Sequence, residues 1–180
     1  MSTNTSDCER NCATVRLVVV MGVTGSGKST IGRRLAGMLG FSFSDADDFH
    51  GAANVAKMTR GEALTDADRA AWLARLRVLI DRALEGHEPT VLACSALKAR
   101  YRDALGLARP GVAVLYLRAT PDLIERRLAA RIGHFMPEKL IPSQFADLEV
   151  PAGAIELDAD QPIDALVSAA AAAIVNGTSR

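Results

Sequence analysis

A glycine-rich segment near the amino end has the residue types and the spacing of a phosphate-binding loop. Residues 22–29 read GVTGSGKS, which fits the pattern G-x-x-x-x-G-K-[ST]. The glycines let backbone N–H groups turn inward around phosphate oxygens, and a helix that follows adds the positive end of its dipole. We expect Lys28 to reach the β- and γ-phosphates of a nucleoside triphosphate and Ser29 to bind Mg²⁺. The candidate nucleotide-binding residues are Gly22, Thr24, Gly25, Ser26, Gly27, Lys28, Ser29 and Thr30.

A second segment, residues 45–50, reads DADDFH and supplies carboxylates. It directly follows a predicted strand, and the carboxyl ends of strands in an open parallel sheet border the ligand crevice. One carboxylate there would help to hold Mg²⁺ through water, and another, two residues on, would accept a proton from the hydroxyl of an acceptor. The alternative interpretation is an acidic turn at the surface. His50 taken alone is more typical of a structural histidine.

Alternating strands and helices would position these two segments. Apolar runs predict strands, and capped or amphipathic stretches predict the helices between them. This alternation favours a parallel sheet that is covered by helices on both faces, with right-handed crossovers. Residues 45–65 are rich in polar groups and are predicted to form a loop. The predicted strands are residues 16–21, 41–44, 90–94, 112–117 and 154–157, and the predicted helices are about 28–39, 66–85, 96–107, 121–131, a segment ending near 148, and 162–175.

Composition limits the class of protein. The chain has 180 residues, with 21 basic and 21 acidic side chains, and 49% of its residues are hydrophobic. This length suits one domain with a proper core, and zero net charge gives no global reason to expect binding to nucleic acid or to a membrane surface. Aromatic residues make up only 4%, which argues against a protein that binds single strands by base stacking. The polar amino end and the lack of a long apolar run predict a cytoplasmic location.

The acidic segment belongs to a longer pattern. Residues 45–73 match D-x-D-x-x-H-x-x-x-N-x-x-K-M-x-x-G-x-x-L-x-D-x-D-R-x-x-W-L, and further blocks are CSALKARYRD at 94–103, GHF at 133–135, SQF at 143–145, LEVP at 148–151 and DQP at 160–162. Together with the phosphate loop, these blocks resemble the gluconate kinase family of small P-loop kinases, over about residues 18–175. Two positions depart from the family: Ala46 stands where Gly is usual, and Asp48 stands where an apolar residue is usual.

The resemblance implies a fold and a reaction. The expected fold is a three-layer α/β/α sandwich with a five-stranded parallel sheet, formed by residues 15–180 as one domain after a disordered leader of residues 1–14. The expected reaction transfers the γ-phosphate of ATP to the 6-hydroxyl of D-gluconate, with Mg²⁺ as cofactor. Asp47 is the candidate base and Asp45 the candidate metal residue, although these two roles could be exchanged. A homodimer is also suggested by the resemblance alone.

Further residues are candidates because they lie in the matched blocks. The substrate candidates could supply a cation for the gluconate carboxylate and hydrogen bonds for its hydroxyls, whereas solvated helix faces are the alternative for Arg69 and Arg102. Lys57 is a further possible substrate contact, Met58 is expected to pack, and Trp72 is expected to pack in the core. The candidate substrate-binding residues are Asp47, His50, Arg69, Lys98, Arg102, His134 and Gln144.

An arginine-rich segment predicts a mobile lid at about residues 127–142. Arg127 and Arg131 are four residues apart, so they share a helical face. In small kinases of this class, lid arginines stabilise charge on the transferred phosphoryl group, and closure excludes water. With Lys28 and Asp47, these two arginines complete the candidate catalytic residues. A solvated basic helix is the alternative for this segment, and Arg126 is expected to be in solvent or ion-paired.

Two other functions remain open from the sequence. Residues 25–36 also resemble the loop and helix of shikimate kinases, and the D-x-D element does not discriminate between the two families. Residues 94–98, CSALK, stand where a shikimate kinase carries a glycine-rich triplet. A non-catalytic nucleotide-binding module would retain the loop but lose the acceptor residues, which here are present. The sequence therefore favours gluconate over shikimate as the acceptor.

Overall fold

The computed structural model describes residues 15–62, 64–130 and 141–177. Five parallel strands form one sheet, as expected, and their order is β2-β3-β1-β4-β5. The predicted leader (1–14) lies outside the described residues, and so does most of the predicted lid, including Arg131 and His134. Among the helices that are described, none combines the length and the hydropathy needed to cross a bilayer.

The helices and strands alternate along the chain. A 3₁₀ turn, Ala46–Phe49, follows the second strand. The strands are β1 (Leu17–Met21), β2 (Ser42–Asp45), β3 (Thr90–Ala93), β4 (Val112–Arg118) and β5 (Ile155–Asp158). The helices are α1 (Lys28–Leu39), α2 (Ala52–Thr59), α3 (Asp66–Leu84), α4 (Ala99–Leu105), α5 (Pro121–Ala129), α6 (Ile141–Asp147) and α7 (Ile163–Gly177).

Strand β1 is buried along its whole length because helices cover both faces of the sheet. Val18 and Val20 belong to a cluster with side chains of α1 and α7, among them Leu35. The alternate residues of β1 belong to a second cluster with α3, which includes Trp72. Burial on both faces explains the uninterrupted apolar run of β1, and the core position expected for Trp72 is confirmed.

The prediction of a loop over residues 45–65 is wrong. This segment contains the 3₁₀ turn and helix α2, which is held by side-chain contacts with α3 rather than by local capping. Smaller differences concern the ends of elements: the cap of α3 is Thr65, and α4 begins at Ala99 rather than at residue 96. Helix α2 gives little sequence signal because it is short, has no side-chain cap and is held by partners elsewhere in the chain.

Candidate active site

The phosphate loop connects the end of β1 to the start of α1. Gly22 has a φ of +148° and lies so close to the Leu117 carbonyl oxygen that a Cβ would be 2.9 Å from it. Gly27 caps α1 with a φ of +102°, a conformation that side chains disfavour. The Ser26 side chain is fully buried, and its Oγ has no hydrogen-bond partner in the described part of the chain. Glycine is thus required at both ends of the loop.

Lys28 and Ser29, the first two residues of α1, connect the loop to its surroundings. The Lys28 Nζ donates to the Val23 carbonyl oxygen at 3.0 Å, so that its ammonium lies across the loop. The Ser29 Oγ donates to the Asp45 Oδ2 at 2.6 Å. This contact joins the phosphate loop to the carboxyl end of β2. The phosphate loop and the acidic segment, residues 45–50, therefore lie at one edge of the sheet.

The 3₁₀ turn after β2 places Asp47 beside the loop. The Asp47 N–H donates to the Asp45 Oδ1 at 3.2 Å, which fixes the start of the turn. Burial raises the pKa of Asp47, the negative charge of Asp45 raises it further, and the Lys28 ammonium opposes both effects. A carboxyl group that has a raised pKa and faces both a carboxylate and an ammonium group, here on a residue that solvent reaches, is an arrangement typical of catalytic sites.

His50 lies at the end of the same turn, stacked on Trp72. The two rings are nearly parallel, with 4.8 Å between their centroids and an interplanar angle of 7°. The Trp72 Nε1–H donates to the Ala46 carbonyl oxygen at 2.7 Å, so the indole also holds the turn. Burial lowers the pKa of His50, which favours the neutral ring.

Asn54 and Lys57 join α2 to α3. The Asn54 Nδ2 donates to the Asp68 carbonyl oxygen at 2.7 Å and lies 3.4 Å from the His50 Nδ1. The Lys57 Nζ forms an ion pair with the Asp68 carboxylate at 2.7 Å, and hydrogen bonds from Lys57 and Thr65 lower the pKa of Asp68 to about 2. Lys57 therefore links α2 to α3.

The other basic candidates lie around the start of α3 and α4. Arg69 Nη1 donates to the Tyr101 hydroxyl at 3.1 Å, and its positive charge acts on His50. The Lys98 Nζ pairs with an Asp147 oxygen at 2.9 Å. Arg69 and His50 are therefore brought together, whereas Lys98 contacts α6.

Arg102 stabilises the turn that precedes α4. Its Nη1 donates to the carbonyl oxygens of Ala96 and Leu97, both at 2.9 Å. Ala96 has a φ of +42°, an uncommon conformation for a residue with a side chain, and the two hydrogen bonds help to hold it. The sequence predicts that Arg102 contacts substrate, and the structure shows that it also holds this turn.

Arg127 and Gln144 contact the phosphate loop from outside. The Arg127 Nη1 donates to the carbonyl oxygens of Ser26 and Gly25 at 3.1 and 3.4 Å, and its Nη2 donates to the Ala159 carbonyl oxygen at 2.5 Å. The Gln144 Oε1 accepts from the Thr24 N–H at 2.7 Å, and its Nε2 donates to the Thr24 Oγ1 at 2.9 Å. Both side chains thereby fix the path of the loop.

The Ser29–Asp45 pair has the donor chemistry that Mg²⁺ requires. Within residues 15–62, 64–130 and 141–177, no cluster of three or more His, Cys, Asp or Glu side chains is placed to hold a metal. Mg²⁺ in phosphoryl-transfer sites is bound by one or two protein oxygens together with substrate phosphates and waters, so two adjacent oxygens are sufficient. The residues present are compatible with a metal that arrives with a nucleotide.

Asn54 and Trp72 were not among the candidate site residues. Both belong to the matched pattern of residues 45–73. Trp72 has the helical spacing of a core residue, and a single asparagine does not by itself indicate a functional site. Their link to His50 is visible only in three dimensions.

A cavity of about 510 Å³ lies at the opposite edge of the sheet, between the starts of β4 and β5 and the end of α7, and none of the phosphate-loop residues lines it.

Comparisons with known proteins agree with this fold. The family described as AAA domain matches residues 17–151. A gluconokinase of Gluconobacter oxydans is 44% identical over 136 residues, covering 76% of each chain. The crystal structure of a gluconokinase from Sinorhizobium meliloti 1021 superposes with a TM-score of 0.79 at 39% identity, covering 90% of this chain and 93% of that one. Shikimate kinase from Aquifex aeolicus has the same fold, with a TM-score of 0.60 at 16% identity, covering 91% of this chain and 98% of that one.

Proposed function

The chain belongs to the gluconokinase family, and we propose that it transfers the γ-phosphate of ATP to the 6-hydroxyl of D-gluconate, giving 6-phosphogluconate and ADP. The observation that carries this proposal is the 2.6 Å hydrogen bond between Ser29 and Asp45. It joins the loop that would hold the phosphate donor to the turn that bears Asp47, the group that would meet the acceptor. Donor and acceptor chemistry thus share one edge of the sheet.

In the proposed reaction, the chain's residues mainly position groups and neutralise charge. The loop amides and Lys28 hold the phosphates, while Asp47 orients the 6-hydroxyl and accepts its proton. The hydroxyl oxygen bonds to the γ-phosphorus as the bond from that phosphorus to the β–γ bridging oxygen breaks, and ADP leaves. Mg²⁺, held by Ser29 and through water by Asp45, would supply positive charge to the phosphate oxygens.

Arginines and the acceptor-side residues complete the proposal. Arg127 would act through the loop that it holds, and Arg131 would stabilise charge on the transferred group. The gluconate carboxylate would meet a basic side chain of the acceptor side, and hydroxyls would meet His50 and neighbouring polar groups. The acceptor-side candidates are His50, Arg69, Lys98, Arg102, His134 and Gln144. We also propose a cytoplasmic location and a homodimer, the latter testable by light scattering.

An acceptor screen tests the proposed reaction. ADP release is measured by a coupled assay with ATP and Mg²⁺, in the presence of D-gluconate, of shikimate, or of no acceptor. We expect release that depends on gluconate, and its near loss in Asp47→Asn. Release with shikimate but not with gluconate would refute the proposed acceptor. Nucleotide binding without turnover on either acceptor would instead indicate a binding module.

A further inference from the structure

We propose that Asn54 is a positioning residue that holds His50 in the tautomer with its proton on Nε2, so that His50 offers a neutral N–H donor to an acceptor hydroxyl beside Asp47. The assignment of a substrate hydroxyl to His50 rests on the proposed function, whereas the position of the proton on the His50 ring does not. It assigns roles to Asn54 and, through ring stacking, to Trp72. It also assigns His50 to a hydroxyl of the substrate rather than to its carboxylate.

The orientation of the Asn54 amide decides the tautomer. The atom that faces the Asp68 carbonyl oxygen at 2.7 Å must be the amide nitrogen, because a carbonyl oxygen only accepts hydrogen bonds. The same nitrogen lies 3.4 Å from the His50 Nδ1 and has a second hydrogen to donate. A donor that faces Nδ1 requires a lone pair there, so the ring proton resides on Nε2.

Trp72 fixes the plane of the ring. Parallel stacking at 4.8 Å leaves the imidazole little freedom to rotate, and the indole is itself held by its hydrogen bond to Ala46. Asn54 and Trp72 are both largely buried, so neither side chain can readily adopt another rotamer. Plane and tautomer are therefore set by different residues, from α3 and α2 respectively.

The charges around the ring agree with a neutral donor. Asp47, on the 3₁₀ turn, favours the protonated ring, whereas Arg69 and Arg75, both on α3, disfavour it. The guanidinium of Arg75 also donates to the Phe49 carbonyl oxygen at 2.9 Å, close to the ring's own backbone. Burial of the ring lowers the pKa of His50, as the two arginines do. A neutral N–H group suits a hydroxyl oxygen, whereas the substrate carboxylate calls for a cation.

The state of the ring can be measured without any activity. Two-bond ¹H–¹⁵N correlation spectra of ¹⁵N-histidine-labelled protein report which ring nitrogen carries the proton, and the signals missing in His50→Gln identify this ring among the three histidines. We expect Nε2–H at neutral pH in the wild type and a mixture of tautomers in Asn54→Leu. A wild-type ring protonated at Nδ1 would overturn the proposal, even if Asn54→Leu does not fold.

Kinetics then test the consequence for the acceptor. Asn54→Leu should raise KM for gluconate roughly threefold to tenfold, the order expected for one lost neutral hydrogen bond, and leave KM for ATP within about twofold. Thr59→Ala is the matched control, because it removes an exposed hydrogen bond to Val55 on the same helix. It should leave the ring spectrum and both KM values unchanged.

Substitution of the histidine itself separates donor position from bulk. Glutamine carries a donor at about the reach of Nε2, and asparagine at about the reach of Nδ1. His50→Gln should therefore retain more gluconate turnover than His50→Asn, and equal losses would contradict the proposal. If no variant and not even the wild type phosphorylates gluconate, the proposed function fails, while the spectra still decide the tautomer.

Discussion

Replacement of Arg127 by lysine would show how the phosphate loop is held. The arginine donates to three backbone carbonyl oxygens, two in the loop and one at Ala159 after β5. Lysine keeps the charge but presents a single compact ammonium group, which cannot span the carbonyl groups of two separate segments. Arg127→Lys should therefore lose about two of the three hydrogen bonds and release the loop from the β5–α7 turn.

The size of the effect follows from those contacts. A hydrogen bond to a charged group contributes about 1.5–3 kcal/mol, and we take the lower part of this range because the side chain is only half-buried. Two lost bonds, less the side-chain entropy regained, give a decrease of about 2 kcal/mol in the free energy of unfolding. For a chain of this size, such a decrease lowers Tm by roughly 4–8 °C.

Differential scanning calorimetry with a matched control makes the test specific. Arg126→Lys alters the neighbouring arginine, whose exposed guanidinium is 4.0 Å from an Asp160 oxygen, and should change Tm by no more than about 1 °C. Arg127→Lys should also raise KM for ATP by a larger factor than it lowers kcat. An unchanged Tm combined with a ~10²-fold loss of kcat would refute the anchoring role and indicate direct action on the transferred phosphoryl group.

Three further predictions concern catalysis, acid stability and thiol reactivity. Lys28→Ala and Asp47→Asn should each reduce turnover by ~10²-fold or more with an unchanged circular dichroism spectrum, and a kcat near that of the wild type in folded Asp47→Asn would remove Asp47 from the catalytic residues. Because the pKa of Asp68 is about 2 in the folded protein and about 4 when unfolded, its contribution to stability is present above about pH 4 and is lost as the pH falls towards 2. The free energy of unfolding, measured with urea between pH 5 and 2, should fall less in Asp68→Asn than in the wild type. An equal fall in the two proteins would contradict this assignment. Burial raises the pKa of the Cys94 thiol to about 12, so a variant with the two cysteines before residue 15 changed to serine should react with iodoacetamide only on unfolding, and rapid labelling of the native variant would be inconsistent with that burial.

The strands and the phosphate loop could be predicted because their signals are local. A buried parallel strand needs a continuous apolar run, and the loop needs glycine where φ is positive, as at Gly22 and Gly27. The order of the strands within the sheet and the contact between Ser29 and Asp45 follow from the topology, which the alternation of elements only implied.

Helix α2 and the His50 environment could not be predicted, for a physical reason. Helix α2 has only eight residues and no side-chain cap, and a helix this short is not stable by itself in water. Its stability comes from Asn54 and Lys57, which both bind Asp68 at the start of another helix. Contacts between segments that are distant in sequence leave no periodic pattern, and the same holds for the bonds that Arg127 makes to the loop.

Identification of the phosphorylated product tests the central claim most directly. The protein is incubated with ATP, Mg²⁺ and ¹³C-labelled D-gluconate, and the product is analysed by ³¹P and ¹³C NMR. The account predicts one new phosphate ester, coupled to carbon 6 of gluconate, formed in a 1:1 ratio with ADP. Phosphate attached to another carbon, or ADP accompanied only by inorganic phosphate, would contradict it.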